Sequence, residues 1–120
     1  MGEQIELRCR CGEVRGIVTN PSPRSVNRVI CYCDDCQEGS RQIEALPNAR
    51  PAQDPDGGTA YVVYRKDRLR CSRGASLLKG YKIRTISTTN RVIATCCNSA
   101  MFLNFDDGKH WVDAMRTLRL

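Results

Sequence analysis

Apolar and polar positions alternate over the first part of the chain, as they do in a strand with one buried face. Ile5 and Leu7 alternate with polar residues, the segment CRCG follows at residues 9–12, and VRGIV begins at residue 14. The glycine of CRCG tolerates the positive φ that a tight turn needs. This pattern predicts a β-hairpin over residues 4–19.

The middle of the chain predicts a strand, a helix and a loop. A strand over residues 26–32 is followed by Asp34, which can cap a short helix over residues 35–46. Residues 47–58 contain three prolines and two glycines, which predicts a loop and makes this segment the best candidate for a mobile lid or a tolerated insertion.

The second half is rich in Val, Ile, Tyr and Thr, which favour strands. Strands are predicted over residues 59–64, 68–71, 81–89, 91–96 and 100–105. Thr89 and Asn90 are predicted to form a hairpin turn. Trp111, Met115 and Leu118 recur at helical spacing, which predicts a helical tail.

Length and hydropathy limit the class of protein. With 120 residues the chain has the size of one domain, and its apolar runs are far shorter than the ~20 residues of a membrane helix. No apolar leader follows the N-terminus. We therefore expect a cytoplasmic protein without a membrane span, folded as a single β domain over residues 1–120, with a core over 5–106 and a tail over 107–120.

Basic residues are concentrated in one stretch. Residues 65–91 carry nine basic side chains and one acidic one, whereas the net charge of the whole chain is +6. Such a stretch is either a solvated strand face or a surface that attracts an anionic partner. Three nearby tyrosines are too few for a stacking platform, so nucleic acid is not the expected partner.

Seven of the eight cysteines fall into three tight groups. The groups are Cys9-x-Cys11, Cys31-x-Cys33-x-x-Cys36 and Cys96-Cys97. A disulfide framework is the alternative, but it needs an oxidising compartment and the spacings are too tight for easy internal bridging. The pattern favours thiolates that converge on a metal ion, for which zinc is the usual choice.

Two of the groups predict a structural zinc site. A CxC turn and a distant cysteine pair can together supply the four tetrahedral ligands of zinc. We expect Cys9 and Cys11 to meet Cys96 and Cys97 around one zinc ion that joins the two ends of the domain. The binding free energy of such a zinc is folding free energy.

The third group predicts a different kind of site. Cys31, Cys33 and Cys36 supply three thiolates within six residues. Three protein ligands with an open position are typical of a catalytic zinc, whereas a distant fourth ligand would make a closed structural site. Both arrangements stay open at this point, and a metal-free reduced trio is a third.

Two further residues have no partner in the sequence pattern. Cys71 follows a basic segment and is expected to be a small buried hydrophobe. His110 is the single histidine and is expected to lie at the surface.

The motifs CRCGEVRG, CYCDDCQ and TCCNSAMF resemble the glutathione-dependent formaldehyde-activating enzyme family, which includes the centromere protein V type domain. The resemblance spans about residues 5–106. It implies a β-tent fold of small antiparallel sheets with a short helix after the CxCxxC motif. It also implies one structural zinc, a second zinc at CxCxxC, and a carbon–sulfur lyase activity that joins glutathione and formaldehyde into S-hydroxymethylglutathione.

Carried across the motifs, the resemblance makes Cys9 and Cys11 structural ligands and the CxCxxC cysteines a catalytic trio. The chain departs from the family at the C-terminal CxxCGS, where Ala94 takes the place of the first cysteine and Cys96 can restore the thiolate. Tyr32 stands where the family usually has histidine. The chain therefore looks like a divergent branch.

Two functions follow from these observations. The first is a zinc-dependent carbon–sulfur lyase-like protein that acts on glutathione–aldehyde adducts, with part of the basic stretch holding the glutathione carboxylates. The second is a non-catalytic, zinc-stabilised module that contacts nucleic acid or protein through its basic strands.

Overall fold

The computed structural model of the chain describes residues 4–21, 26–107 and 110–118. Its strands and its helix are β1 (Gln4–Arg8), β2 (Arg15–Thr19), β3 (Asn27–Cys31), α1 (Asp34–Glu44), β4 (Thr59–Arg65), β5 (Leu69–Arg73), β6 (Leu78–Tyr81), β7 (Thr89–Ala94), β8 (Ser99–Phe105) and β9 (Trp111–Met115). Short 3₁₀ turns follow β4, precede β6 and follow β9.

The strands form two antiparallel sheets. The small sheet has the order β1-β2-β5, and the large sheet has the order β3-β4-β9-β8-β7-β6. The consecutive strands β4 and β5 belong to different sheets, so the turn between them carries the chain from one sheet to the other. The prediction of a mainly β fold with small antiparallel sheets and a short helix after CxCxxC is confirmed.

The N-terminal hairpin forms as predicted. Strands β1 and β2 pair with Leu7 opposite Gly16, and the Cys9 N–H donates to the Val14 carbonyl across the turn at 3.0 Å. Gly12 has φ +83°, which places it in the left-handed region. The turn at residues 9–12 therefore owes its shape to a glycine, as the sequence predicts.

The core lies between the two sheets. The small sheet and its turn contribute Leu7, Val14 and Val18, and the large sheet contributes Tyr64, Ala94, Met101 and Val112 among others. Two of the cysteines, Cys9 and Cys36, belong to the same buried cluster. Each cysteine site is thus anchored to the core by one buried ligand residue.

Helix α1 starts one residue earlier than predicted and has a different cap. Cys33, not Asp34, is the N-cap: it has extended backbone angles and its side chain accepts from the Cys36 N–H. Asp34 is the first helical residue, where a negative charge suits the helix dipole. The prediction of Asp34 as the cap is therefore wrong, and a cysteine of the motif takes that role.

The C-terminal segment is a strand and not the predicted helix. Strand β9 lies in the large sheet between β4 and β8, with Val112 opposite Tyr64 and Ala114 opposite Phe102. Val112 and Ala114 are buried. Their alternation along the strand outweighs the helical spacing of the larger side chains.

The predicted strand over residues 81–89 is also wrong. The chain leaves β6 at Tyr81 and enters β7 at Thr89, so the connection is a loop and Thr89 and Asn90 are strand residues. Ile86, in this loop, has 86% of its surface exposed. The pairing of β6 with β7 ends at Tyr81 and Arg91, so the β-favouring residues that follow are not part of the sheet.

None of the helices formed by the described residues is long and apolar enough to cross a membrane.

Candidate metal centres

The structure brings four of the predicted ligand residues together at one point. Cys9 and Cys11 come from the turn after β1, and Cys96 and Cys97 come from the turn between β7 and β8. Their four Sγ atoms all lie within 4.8 Å of one another. The two turns are far apart in sequence but adjacent in space, as predicted.

The sulfur–sulfur distances of this four-cysteine cluster suit a tetrahedral metal site. The Sγ of Cys9 lies 3.7 Å from that of Cys11 and 3.7 Å from that of Cys96, and the Cys96–Cys97 distance is 4.0 Å. Four sulfurs at ~2.3 Å from a tetrahedral zinc would be ~3.8 Å apart. The cluster could therefore hold a zinc-sized ion without rearrangement.

The vicinal pair is accommodated by the backbone of its turn. Asn98, directly after the pair, has φ +50°, a left-handed conformation that asparagine adopts more easily than most residues. Ala94 is completely buried at the end of β7, so a side chain there points into the core. Cys96 supplies the thiol that Ala94 lacks.

Hydrogen bonds distinguish the four thiols. The Val14 N–H donates to the Cys9 sulfur at 3.4 Å, and the Cys97 sulfur lies 2.8 Å from the Ser99 hydroxyl. Partial burial raises the pKa of Cys97, but hydrogen bonds from Ser99 and the Cys11 N–H outweigh it and lower that pKa to about 6. Burial and its thiol neighbours raise the pKa of Cys96. A metal ion binds cysteines as thiolates, so metal binding at this cluster would release the protons of its thiols.

The CxCxxC cysteines form a second, separate cluster, which we call the trio. Cys31 ends β3, Cys33 caps α1 and Cys36 lies in the first helical turn. The Sγ atom of Cys31 lies 3.2 Å from that of Cys33 and 3.1 Å from that of Cys36. These distances are shorter than the ~3.8 Å of a tetrahedral zinc site, so the trio must widen slightly to hold zinc.

The three cysteines of the trio differ in solvent exposure. Cys36 is buried, Cys31 is intermediate and Cys33 is exposed. Burial, followed by the hydrogen bonds of the other two thiols, raises the pKa of Cys36 to about 12. Burial also acts to raise the pKa of Cys33, but hydrogen bonds from Cys31 and the Cys36 N–H lower it below its usual value. The exposed thiol of Cys33 is thus more acidic than the buried thiol of Cys36.

No fourth ligand completes the trio within residues 4–21, 26–107 and 110–118. No other Cys, His, Asp or Glu side chain of these residues joins its three sulfurs. Tyr32, between two of the cysteines, donates its hydroxyl to the Asp56 carboxylate at 2.7 Å, which directs it toward the 47–58 loop. Three thiols with an open side are therefore the arrangement that the described residues offer to a metal.

The 47–58 loop is tied to its surroundings by hydrogen bonds. The Gln53 side chain donates to the Gln37 carbonyl at 3.0 Å, and the Ala52 N–H donates to the Glu44 carboxylate at 3.0 Å. Its last residue, Gly58, packs against Tyr32 so closely that a Cβ there would lie 2.8 Å from the ring. The loop thus borders the trio, and its role as a lid stays a prediction.

The basic stretch does not form one surface. Its members lie on β4, β5, β6, β7 and the connecting segments, and β5 and β6 belong to different sheets. Four of the nine cations form ion pairs, Arg65 with Asp67, Arg73 with Glu13, Lys82 with Asp106 and Arg84 with Asp35. Only part of the stretch therefore lies close to a cysteine cluster.

That part is the pair Arg84 and Arg91, which approaches the N-terminal turn of α1. The Arg84 guanidinium binds the Asp35 carboxylate at 3.0 Å, and Arg91 donates to the Asp35 carbonyl oxygen at 3.0 Å. Both line a cleft of about 270 Å³ beside α1, together with the hydroxyl residues Ser87 and Thr88. The cleft thus offers two guanidinium groups and two hydroxyl groups next to the helix that carries Cys36.

Two remaining predictions have opposite outcomes. Cys71 is exposed on β5, so the expectation of a buried thiol is wrong. Its neighbours along the strand are Arg70 and Arg73, and the strand lies at the edge of the small sheet. His110 is exposed, as predicted.

Comparison with known proteins supports the fold alone. No protein-family model matches the chain, and no curated protein matches its sequence. A crystal structure of a Rhodobacter sphaeroides protein from a structural genomics programme is similar, with a TM-score of 0.61 and 19% identity over 94% of this chain and 85% of that one. At this identity the likeness extends to the arrangement of strands and helix across nearly the whole chain.

Proposed function

We propose that the chain is a zinc-dependent, carbon–sulfur lyase-like protein that acts on adducts of glutathione with small aldehydes. The observation that carries this proposal is the trio itself. Cys31, Cys33 and Cys36 are gathered by a strand end and one helical turn, and no fourth ligand from the described residues completes the set. Three protein ligands and an open position are typical of catalytic zinc.

The residues of the trio fit a zinc ion by their donor type. Three sulfur ligands suit zinc better than the hard cations magnesium and calcium. A zinc ion held there would supply the positive charge that keeps an incoming thiol in its thiolate form at neutral pH. Cys33 is exposed, which supports access to such a zinc ion by a substrate from solvent.

The reaction joins a thiol to a carbonyl compound. The glutathione sulfur forms a bond to the formaldehyde carbon, the carbon–oxygen π bond breaks, and the oxygen receives the proton that the thiol gives up. The product is S-hydroxymethylglutathione, and the reverse direction breaks the same carbon–sulfur bond. No oxidant or reductant is needed.

The cleft beside α1 supplies a place for the rest of glutathione. Glutathione carries two carboxylates, and a guanidinium binds a carboxylate with two parallel hydrogen bonds. Arg84 lies in this cleft with an exposed side chain, already paired with Asp35. A substrate carboxylate would share or replace that ion pair while its thiol reaches the trio.

The four-cysteine cluster has the structural role in this proposal. Its sulfur–sulfur distances already match tetrahedral zinc, and its ligands come from both ends of the domain. A zinc ion bound by all four cysteines has no position left for a substrate. The protein would therefore hold two zinc ions with different roles.

Elemental analysis and an activity assay on two matched variants test the proposal. We expect two zinc ions per wild-type chain, one per Cys33→Ser chain, and two for Cys71→Ser, whose thiol belongs to neither cluster. We expect Cys33→Ser to lose acceleration of adduct formation from glutathione and formaldehyde, and Cys71→Ser to keep it. Full acceleration by the Cys33→Ser variant would contradict the assigned site.

A further inference from the structure

A buried cation lies under α1 without a carboxylate partner. Arg91, on β7, has only 5% of its surface exposed. Its Nη2 donates to the main-chain oxygen of Asp35, and no described acidic side chain lies within ion-pair distance of its guanidinium. A buried charge without a counter-charge is costly, so the surroundings of Arg91 should contain a compensating negative group.

The two acidic side chains nearest in the fold do not fill that role. The Asp35 carboxylate binds Arg84, and only its main-chain oxygen faces Arg91. Asp113 lies two strands away on the same face of the large sheet, with Leu103 between them. Burial raises the pKa of Asp113 and no cation offsets this effect, so Asp113 and Arg91 are not paired.

The trio lies one side chain away from Arg91. Tyr61, only 3% exposed, donates its hydroxyl to the Cys36 sulfur at 3.9 Å. Tyr61 and Arg91 line the same small cavity beneath Ser40 and Ile43 of α1. Tyr61 thus connects the space around the Arg91 side chain with the buried ligand of the trio.

The helix leaves space for this guanidinium. Gly39 faces Arg91, and a Cβ atom at position 39 would lie 2.5 Å from the Nε atom of Arg91. Cys36 and Gly39 are one helical turn apart, so the same helix face presents both the thiol and the gap. The arrangement holds Arg91 in one place relative to Cys36.

We propose that Arg91, acting through Tyr61, is the internal counter-charge of the trio and a positioning residue for the metal that the trio binds. This inference rests on the proposed function, because it assumes that the trio holds a metal ion. A divalent ion with three thiolates has charges of +2 and −3, hence a net −1. One buried guanidinium neutralises that charge, and in a low-dielectric interior its effect is larger than at the surface.

Metal titration of the full-length chain tests the pairing. Zinc affinity is measured by competition with a chelator, and cobalt binding is followed by its sulfur-to-metal charge-transfer absorption. The variants are Arg91→Met, which keeps the length of the side chain, Arg91→Lys, which keeps the charge, and Tyr61→Phe. Arg84→Met is the matched control, because Arg84 also contacts Asp35 but has 57% of its side chain exposed.

The expected result is selective weakening of one of two bound metal equivalents. Outer partners of metal ligands typically affect affinity about 10–100-fold, and we expect Arg91→Met to weaken the trio by that factor. The other equivalent, at the four-cysteine cluster, should be unchanged. Arg91→Lys should lie nearer to wild type than Arg91→Met, and Arg84→Met should change the affinity by less than about 2-fold.

The double variant with Tyr61→Phe distinguishes two roles of Arg91. The arginine either acts on the trio through Tyr61 or stabilises the position of α1 directly. If Arg91 acts through the tyrosine, Arg91→Met should reduce zinc affinity much less in the Tyr61→Phe background than in the wild type. The inference would be overturned if Arg91→Met reduced zinc affinity equally in the two backgrounds. It would also be overturned if Arg91→Met bound zinc with wild-type affinity. If Arg91→Met does not fold, Tyr61→Phe decides alone: unchanged metal affinity and an unchanged cobalt spectrum overturn it.

The same titration separates failure of this inference from failure of the proposed function. A wild-type chain that binds one metal ion only refutes a metal at the trio and overturns both. A wild-type chain that binds two ions but does not accelerate adduct formation refutes the lyase activity alone, and the affinities still decide the role of Arg91.

Discussion

Gly39 of α1 and Arg91 of β7 are in such close contact that a side chain at the helix position would force the arginine to move: a Cβ atom at residue 39 would lie 2.5 Å from Nε and 2.6 Å from Cζ of the arginine. The guanidinium is buried and hydrogen-bonded to the first turn of the same helix. The glycine therefore lets the helix lie against the sheet with the guanidinium in this position.

Gly39→Ala should destabilise the protein, although alanine favours a helix interior by about 1 kcal/mol over glycine. The new methyl group must displace the buried guanidinium, which loses its hydrogen bond to the Asp35 carbonyl, and hydrogen bonds of charged groups contribute about 1.5–3 kcal/mol. We expect a net loss of about 1 kcal/mol in the free energy of unfolding, measured with urea at saturating zinc.

The control for this substitution is the same change in an Arg91→Ala background. Arg91→Ala removes the Cδ, Nε and Cζ atoms that the methyl group would meet. There Gly39→Ala should stabilise the protein by about 0.5–1 kcal/mol, through helix propensity alone. A destabilisation of equal size in both backgrounds would show that the arginine is not the cause.

Loss of a ligand should reduce the stability of the protein more at the four-cysteine cluster than at the trio. Cys9→Ser removes a buried ligand from the cluster that joins the two ends of the domain, so the zinc-loaded protein should lose much of its stability or fail to fold. Cys33→Ser removes an exposed ligand from a local cluster and should lower the melting temperature much less. Thermal unfolding monitored by circular dichroism at equal zinc concentration measures both.

Serine at position 33 is a conservative test, because it is itself a good helix N-cap. Its hydroxyl can replace the sulfur that accepts from the Cys36 N–H, so the helix start should survive while the metal ligand is lost. Collapse of Cys33→Ser as severe as that of Cys9→Ser would identify the trio as a structural site. It would also favour the alternative of a non-catalytic zinc-stabilised module.

The parts of the fold that the sequence predicts well are those with a local cause. The hairpin of residues 4–19 follows from alternation and one glycine, and the trio is gathered by a strand end and a single helical turn. Strand β9 was missed because Trp111–Met115 satisfies both a helical and an alternating pattern, and only its neighbours β4 and β8 select the strand. Pairing with distant strands is not visible in a local pattern.

The surroundings of the trio were missed for the same physical reason. Arg91 stands in a run of basic residues, which by itself indicates a solvated surface, yet it is the member of that run that the fold buries. Tyr61 lies on β4 and Arg91 on β7, two strands that are not neighbours in the sheet. Their meeting beneath α1 depends on the helix crossing the sheet. Within the sequence of α1, Gly39 is the residue that marks the close approach of Arg91 to the helix.

Cys71 should be the first thiol to react in the metal-loaded protein. It is exposed and belongs to neither cluster, whereas the other seven cysteines are predicted metal ligands. A thiol reagent in excess should modify one equivalent rapidly and the remaining thiols only as metal is released. Cys71→Ser should remove the rapid phase and leave the slower ones unchanged.

The order of the slower phases checks the two kinds of site. Three thiols of an open trio should react before the four of a closed cluster, because release of metal from the trio breaks fewer bonds. Addition of glutathione should accelerate the three-thiol phase alone. Simultaneous reaction of all seven would contradict the difference between an open and a closed site.

Asp113→Asn should stabilise the protein at neutral pH. Oδ1 of Asp113 is buried and has no hydrogen-bond partner within the described part of the chain, and burial raises the pKa of this carboxyl above its ordinary value of 3.8. Ionisation is therefore less favourable in the folded than in the unfolded protein. Removal of this charge should raise the free energy of unfolding by about 1 kcal/mol at pH 7.

The sign of the pH dependence follows from the same shift. Between the ordinary pKa and the raised pKa, the folded protein holds a proton at Asp113 that the unfolded chain has lost, so wild-type stability falls as the pH rises through this interval. Asparagine has no such proton. The advantage of Asp113→Asn should therefore be absent below about pH 4, grow through the interval and stay constant above it.

Urea unfolding of both proteins from pH 3.5 to pH 7.5 measures this difference, and the effect of pH on metal binding cancels because it is common to both. Asp67→Asn is the control with the opposite sign: the hydrogen bond from Arg65 lowers the pKa of Asp67, so that substitution should cost stability in full above about pH 4, and the cost should shrink as the pH falls from there toward the lowered pKa. An Asp113→Asn advantage that persists unchanged at pH 3.5 would show that shape or packing, and not the buried charge, is responsible. An advantage that appears only as the pH rises would show that ionisation of Asp113, in the middle of the large sheet where β9 joins its two halves, destabilises the fold.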